Sequence, residues 1–272
     1  MTRTKRPVDY ARQTVLITGA SAGIGAEFAR QLAARGSDLV LVARREDRLE
    51  ALAAALIGEH SVSVTTVPMD LAQPGAARSI VETLNARGVE VTSVVNCAGF
   101  ANLGPFHEED LARVSAEIAV DVTAVVELSH ALLPRLRTQG DGFLVNVASV
   151  AAYQANPTMA VYGAAKAFVL SLSEALWYEA RDTGLRVLAL SPGATDTEFF
   201  DVAGDKADGG SRRMKVDAVV RTALDALDRR NPPPSVIAGR ASRLSEVVGR
   251  VVGRRRMTVM VGSLMARTAT QA

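Results

Sequence analysis

Seven short apolar runs rich in β-branched residues alternate with longer stretches of helical spacing, and this alternation constrains the fold of the chain more than any other property. The runs are TVLIT (14 to 18), DLVLVA (38 to 43), VSVTTVP (62 to 68), TSVVN (92 to 96), GFLVNVA (142 to 148), RVLALSP (186 to 192) and SVIAG (235 to 239). Between them lie candidate helices at 24 to 35, 45 to 59, 74 to 87, 108 to 136 and 159 to 183. Strands that are apolar along their whole length need cover on both faces. The pattern therefore predicts an α/β fold in three layers, a doubly wound parallel sheet of about seven strands with helices on each side. No linker interrupts it, and residues 1 to 272 read as one domain. Ligands of such sheets bind at the carboxyl ends of the strands, which here carry Gly19, Arg44, Asp70, Asn96, Ser149 and Pro192.

Three segments fall outside the rhythm. Residues 1 to 12 are polar and basic, lack the apolar stretch of an export signal, and are expected to form a short arm. Residues 196 to 215 mix acids, bases and three glycines after the sixth strand, as a mobile lid over a substrate site would. From 240 to 272, Leu244, Val247, Val248, Val251 and Val252 keep helical spacing and lead into Arg254, Arg255, Arg256 and the apolar MTVMVGSLMA. This basic and apolar tail is expected to pack on its own domain or on another subunit, with an anionic membrane surface as the weaker alternative.

Bulk properties narrow the function. Thirty-one Lys and Arg against 29 Asp and Glu leave a net charge of +2, which gives no reason to expect a nucleic-acid partner. The single cysteine, Cys97, excludes an intrachain disulfide and removes the usual ligands of a structural metal, so no metal and a cytoplasmic location are expected. Cys97 itself reads as a small apolar filler. The longest uncharged run, Gly142 to Ala165, contains Asn146, Gln154, Asn156 and Pro157 and so divides into strand, loop and helix rather than spanning a membrane.

The chemistry concentrates in a few motifs. TGASAGIG (Thr18 to Gly25) follows the first strand and opens a helix, where backbone amides can meet a nucleotide phosphate. Its spacing, G-x-x-x-G-x-G, differs from the general dinucleotide fingerprint. The second strand ends in LVARRED, with Ala43, Arg44 and Arg45 where a protein using NAD(H) commonly places an acid. An arginine there favours NADP(H) over NAD(H), because its planar fork can grip a 2′-phosphate, and Ser21 adds mild support. Tyr162 and Lys166 are four residues apart, on one helix face, where the ammonium can favour the phenolate. The three histidines, His60, His107 and His130, are too dispersed to suggest a site.

With TGASAGIG, NCAG (Asn96 to Gly99), Ser149, YGAAK (Tyr162 to Lys166) and SPGATDT (191 to 197) in order, the chain resembles the short-chain dehydrogenase/reductase family, particularly its ketoacyl and carbonyl reductase members. The resemblance runs from about Thr14 to Phe200. It implies a Rossmann fold, an NADP-dependent oxidoreductase that moves hydride between the nicotinamide and a carbonyl or secondary alcohol, and a homodimer or homotetramer built on the long helices after strands four and five. Tyr162 would be the acid/base, Lys166 would lower its pKa and bind the ribose, and Ser149 would orient the substrate oxygen. Cofactor contacts would come from Gly19, Ser21, Ala22, Gly23, Ile24 and Gly25, from Arg44, Asp70, Leu71, Ala98 and Gly99, from Asn96, which would brace the sheet beside the cofactor, and from Pro192, Gly193, Thr195 and Thr197.

One position departs from the family pattern. An asparagine usual on the helix after strand four, which holds a relay water, is replaced by Asp121 in EIAVDVTAVVEL. If ionised, the aspartate would favour the protonated lysine and disfavour the phenolate. It keeps open a second reading, a catalytically weak NADP(H)-binding interaction or regulatory protein. Apolar residues in the loops around the site, including Phe100, Leu103, Phe106, Val150, Tyr153, Phe199 and Phe200, point to an apolar or acyl-bearing small-molecule substrate.

Overall fold

The computed structural model describes residues 7 to 208, 210 to 239 and 253 to 270. Seven strands form one sheet: β1 (Thr14–Thr18), β2 (Asp38–Ala43), β3 (Val64–Pro68), β4 (Ser93–Asn96), β5 (Phe143–Val147), β6 (Arg186–Ser191) and β7 (Ser235–Ile237). Their spatial order is β3-β2-β1-β4-β5-β6-β7, and each pairing is parallel. The order reverses between β1 and β4, which opens a crevice at their carboxyl ends.

Alternation along each strand divides the core in two. Val15 and Ile17 of β1, with Leu39 and Leu41 of β2, face a layer holding α1 (Gly23–Ala33), α2 (Glu46–His60) and, over β5 and β6, α8 (Val216–Leu227). Leu16, Val40 and Val94 face the opposite layer, with α3 (Ala76–Ala86), α5 (Ala124–Gln139) and α6 (Ala160–Glu179). Both faces of the sheet are thus covered, and the strands read as unbroken apolar runs for that reason. Truncating a fully buried side chain such as Phe28 or Leu128 to alanine removes contacts on all sides, at a cost of about 2–5 kcal/mol.

Four sequence expectations are refined. The single helix expected at 108 to 136 is three pieces: α4 (Leu111–Ile118), one π-helical turn (Ala119–Thr123) and α5. The N-terminal arm is not wholly on the surface, since Val8 and Tyr10 are buried and the Tyr10 ring lies 6.1 Å from that of Phe143. The segment expected to form a lid contains a short helix, α7 (Phe199–Ala203), and a 3-10 turn (Asp205–Asp208). The helical spacing at 244 to 252 lies outside the described residues, but α9 (Arg254–Thr270) follows it and lines part of the crevice. Its Met265 packs with Ala101, Met159 and Ala203, so the tail rests on its own chain. No helix among the described residues is long and apolar enough to cross a membrane.

Candidate active site

The crevice holds a cavity of about 1750 Å³. At one end the chain leaves β1 and turns into α1. Gly19 has φ +69°, and a Cβ there would stand 2.9 Å from Ala98 Cα, so the turn admits only glycine. The N-cap residue Ala22 provides no side-chain bond, and Ser21, Ala22, Gly23, Ile24 and Gly25 line the cavity with the first turn of α1. Such a helix start offers backbone N–H groups and a positive dipole end to an anion. Thr18 Oγ1 accepts from the N–H of Cys97 (2.9 Å) and of Ala98 (3.0 Å), tying the end of β4 to this turn.

Arg44, Asp70, Leu71, Ala98, Gly99, Pro192, Gly193, Thr195 and Thr197 all line the same cavity. Asp70 also accepts from Ala72 N–H at 3.0 Å, which shapes the loop after β3. Thr195 Oγ1 donates to Gly193 O at 2.9 Å, and Thr197 Oγ1 accepts from Phe199 N–H at 3.3 Å, steadying the start of α7. Asn96 takes a bracing position. Its side chain is buried behind the cavity, donating to Asn146 Oδ1 at 2.8 Å and Ser129 Oγ at 3.2 Å, so it braces β4 against β5 and α5 instead of lining the cavity.

Ser149, Tyr162 and Lys166 converge at the middle of the cavity. Ser149 lies two residues past β5 and caps a 3-10 turn, accepting from Ala151 N–H at 3.1 Å. Tyr162 and Lys166 lie one turn apart on α6, with Lys166 Nζ 5.6 Å from the Tyr162 ring centre. The ammonium donates to Val147 O at 3.2 Å and lies 3.7 Å from Asp121 Oδ1. Burial raises the Tyr162 phenol above its ordinary value. Lys166 and the Ser149 hydroxyl pull it down and Asp121 pushes it up, leaving it raised on balance. The expected lowering by lysine is present but is outweighed by burial, so the phenol is held as a proton donor. Burial disfavours the Lys166 ammonium, yet Asp121 and Tyr162 outweigh it and the net direction is up. Burial pushes the Cys97 thiol up to about 12, which leaves it without nucleophilic character.

Asp121 sits on the π-helical turn, fully buried behind Lys166, and does not line the cavity. Burial, opposed by Lys166, pushes its carboxyl up to about 6. One turn earlier on α4, Glu117 is also buried and its Oε2 accepts from Asn102 N–H at 3.2 Å and Nδ2 at 2.6 Å. Sequence reasoning missed Glu117, although its spacing of four from Asp121 was the available signal.

It also missed Glu198, and it put the weight on Arg44 rather than on its neighbour Arg45. Arg45 donates to Ser21 Oγ at 3.0 and 3.2 Å and pairs with Glu198, whereas Arg44 is exposed on the rim. The far end of the cavity is apolar: Phe100, Val150, Tyr153 and Phe199 are joined by Met159 and by Met257, Met260, Leu264 and Met265 near or on α9. The Phe199 ring centre lies 5.5 Å from that of Tyr162. Leu103 and Phe106 do not line the cavity, and Phe106 instead borders a shallow outer groove between α4 and α6. No cluster of metal-ligating side chains occurs among the described residues.

A crevice at the reversal of a parallel sheet, floored by a glycine-rich strand-to-helix turn, defines a nucleotide-binding protein of the doubly wound class. Within that class the chain belongs to the short chain dehydrogenase family, whose sequence pattern matches residues 13 to 208, and it is an oxidoreductase of that family. It is 39% identical over 221 residues to the sulfoacetaldehyde reductase of Chromohalobacter salexigens, covering 79% of this chain and 83% of that one. A short-chain dehydrogenase from Sphingobium yanoikuyae, solved with NADPH, is 38% identical with a TM-score of 0.78, covering 91% of this chain and 95% of the other. The bulky-bulky ketone specific alcohol dehydrogenase from Comamonas testosteroni is 32% identical with a TM-score of 0.74, covering 91% and 93%. These likenesses support a nicotinamide cofactor.

Proposed function

We propose that this protein is an NADP(H)-dependent reductase of bulky, apolar ketones, able to run the reverse oxidation of the secondary alcohol. The observation that carries the reading is the convergence of Ser149, Tyr162 and Lys166 between a glycine turn and a wall of aromatic and methionine side chains in one cavity. The residues present fit the cofactor. The first turn of α1 would take the pyrophosphate, Arg44 and Arg45 a 2′-phosphate, and Lys166 the ribose nearest the chemistry. When bound, the nicotinamide supplies or accepts the hydride.

The chain's own contribution is to place and protonate the substrate oxygen. Ser149 donates a hydrogen bond to the carbonyl oxygen and thereby favours the negative charge that builds there. Tyr162 gives its proton to that oxygen, and in oxidation takes it back. Lys166, fixed by Val147 O and paired with Asp121, keeps a positive charge beside the phenolate that remains, so the proton leaves more easily than burial alone would permit. Met159, Met257, Met260 and Met265 give the substrate wall an adaptable apolar surface. The Comamonas enzyme named for bulky ketones accords with this substrate class.

Self-association fits the outer groove lined by Phe106, Ile118, Val122 and Phe168 between α4 and α6, with a homodimer as the smallest assembly. The lone cysteine accords with a cytoplasmic location. The test of the reading is NADPH oxidation with a panel of small and bulky ketones. Turnover that rises with apolar bulk, prefers NADPH to NADH and is lost in Tyr162→Phe supports it. Tight NADPH binding without turnover on any carbonyl would instead favour the regulatory alternative that Asp121 keeps open.

A further inference from the structure

Three charged side chains meet at the rim of the glycine-turn end of the cavity. Glu198 Oε2 lies 2.7 Å from Arg45 Nη1, and its Oε1 accepts from Arg48 Nη1. Arg45 reaches in the other direction to Ser21 Oγ of the glycine turn. Its fork therefore spans the turn that would hold a pyrophosphate and a carboxylate delivered from a segment 153 residues away. This is the carboxyl end of β2, where a doubly wound protein meets the ribose hydroxyls of the adenosine half. An anion supplied by the chain itself sits on the cations best placed for a phosphate on that ribose.

The bridge is built to be replaceable. The Arg45 and Glu198 side chains are 40% and 42% exposed, so water and salt screen their attraction. A phosphate, with more charge and three acceptor oxygens, competes well for the same guanidinium groups and repels a carboxylate beside it. What happens to Glu198 is felt next to the chemistry. Thr197 on one side packs against the glycine turn, its Cγ2 lying 3.0 Å from where a Cβ on Gly23 would stand. Phe199 on the other side opens α7 and lays its ring against Tyr162.

We infer that Glu198 occupies the subsite of the 2′-phosphate and competes with it for Arg45 and Arg48, so that NADP(H), unlike NAD(H), unfastens the segment that holds Phe199 against Tyr162. The inference rests on the cofactor reading above and deepens it. Glu198 becomes a specificity-determining residue. It weakens cofactor binding slightly, and it ties access to the substrate side of the cavity to the presence of the third phosphate. With 5′-AMP or NAD(H) the carboxylate stays on its arginines and α7 stays in place.

The experiment compares 2′,5′-ADP and 5′-AMP by calorimetry on the full chain and on Glu198→Gln, with Glu198→Ala as a second variant should the first fold poorly. The wild-type protein is expected to prefer 2′,5′-ADP, and either variant to bind it about fivefold more tightly, the size set by loss of an exposed ion pair. Binding of 5′-AMP is expected to stay the same. Hydrogen exchange at residues 199 to 203 should accelerate in the wild type on adding 2′,5′-ADP but not 5′-AMP, and should already be fast in the variants. A wild-type preference that Glu198→Gln leaves unchanged or reduces overturns this inference alone. No preference for 2′,5′-ADP in any of the proteins overturns the cofactor reading and this inference together.

Discussion

Replacing Glu117 by glutamine is predicted to stabilise the protein at alkaline pH and to do almost nothing at acid pH. Glu117 is 1% exposed, one carboxylate oxygen accepts two hydrogen bonds from Asn102, and the other is buried without a hydrogen-bond partner among the described residues. Burial raises its carboxyl, the charges of Asp121 and Glu109 add to the rise, and the Asn102 bonds subtract, leaving it at about 7 against an ordinary value of 4.5. The native state therefore holds this proton more tightly than the unfolded chain does. Stability associated with Glu117 is full below the ordinary value, falls as pH rises through about 7, and stays low above it. Proton linkage over that window gives an upper bound on the order of 3 kcal/mol; with relaxation and water access about 2 kcal/mol is expected. Glutamine keeps the acceptor for Asn102 and cannot ionise. In a chain of this size the gain corresponds to a rise in Tm of about 4–8 °C at about pH 8, shrinking to near zero at about pH 4.5. Thermal unfolding at the two pH values reads it directly. An equal shift at both, or a lower Tm for Glu117→Gln at pH 8, would refute the account of this buried carboxyl.

Three further outcomes follow from the same geometry. In Asp121→Asn the carboxyl raised to about 6 is gone, so a limb in the pH dependence of kcat/KM near that value should vanish while the alkaline limb moves to lower pH as Lys166 loses its countercharge; profiles of the two proteins check this. Gly99→Ala should leave the circular dichroism spectrum intact but lower kcat about a hundredfold, because the new Cβ would stand 2.5 Å from Asp121 Oδ1 and 3.0 Å from Lys166 Nζ. Removing residues 253 to 272 strips α9 from the apolar wall, so KM for bulky ketones should rise while NADPH affinity, measured by fluorescence titration, holds.

The sheet was legible because its central strands carry no polar face: burial on both sides makes a run such as DLVLVA apolar along its length. Ser149, Tyr162, Lys166 and the glycine turn were legible because each lies in a short motif whose spacing carries the chemistry. What escaped is what long-range packing decides. The π-helical turn at Ala119–Thr123 has no glycine or proline to mark it, and helical spacing continues through it, so one helix was expected where three pieces occur. Glu117 is buried because the loop after β4 brings Asn102 against it, a contact that no local motif marks. Arg45 and Glu198 meet only because β2 and β6 end on the same side of the sheet. Asn96 was read as a brace of the sheet beside the cofactor, but its partners, Asn146 in β5 and Ser129 in α5, are set by packing and not by its motif.

The central claim is that this cavity delivers hydride to a ketone carbon while Tyr162 protonates the oxygen. Its most direct test is mass spectrometry of the alcohol formed from a bulky apolar ketone with NADPH deuterated at the transferring position. One deuterium on the carbinol carbon with wild-type protein, and no labelled alcohol with Tyr162→Phe at equal cofactor occupancy, is the predicted result. Undiminished labelling in Tyr162→Phe, or no label with the wild type on any ketone while NADPH is bound, would contradict it.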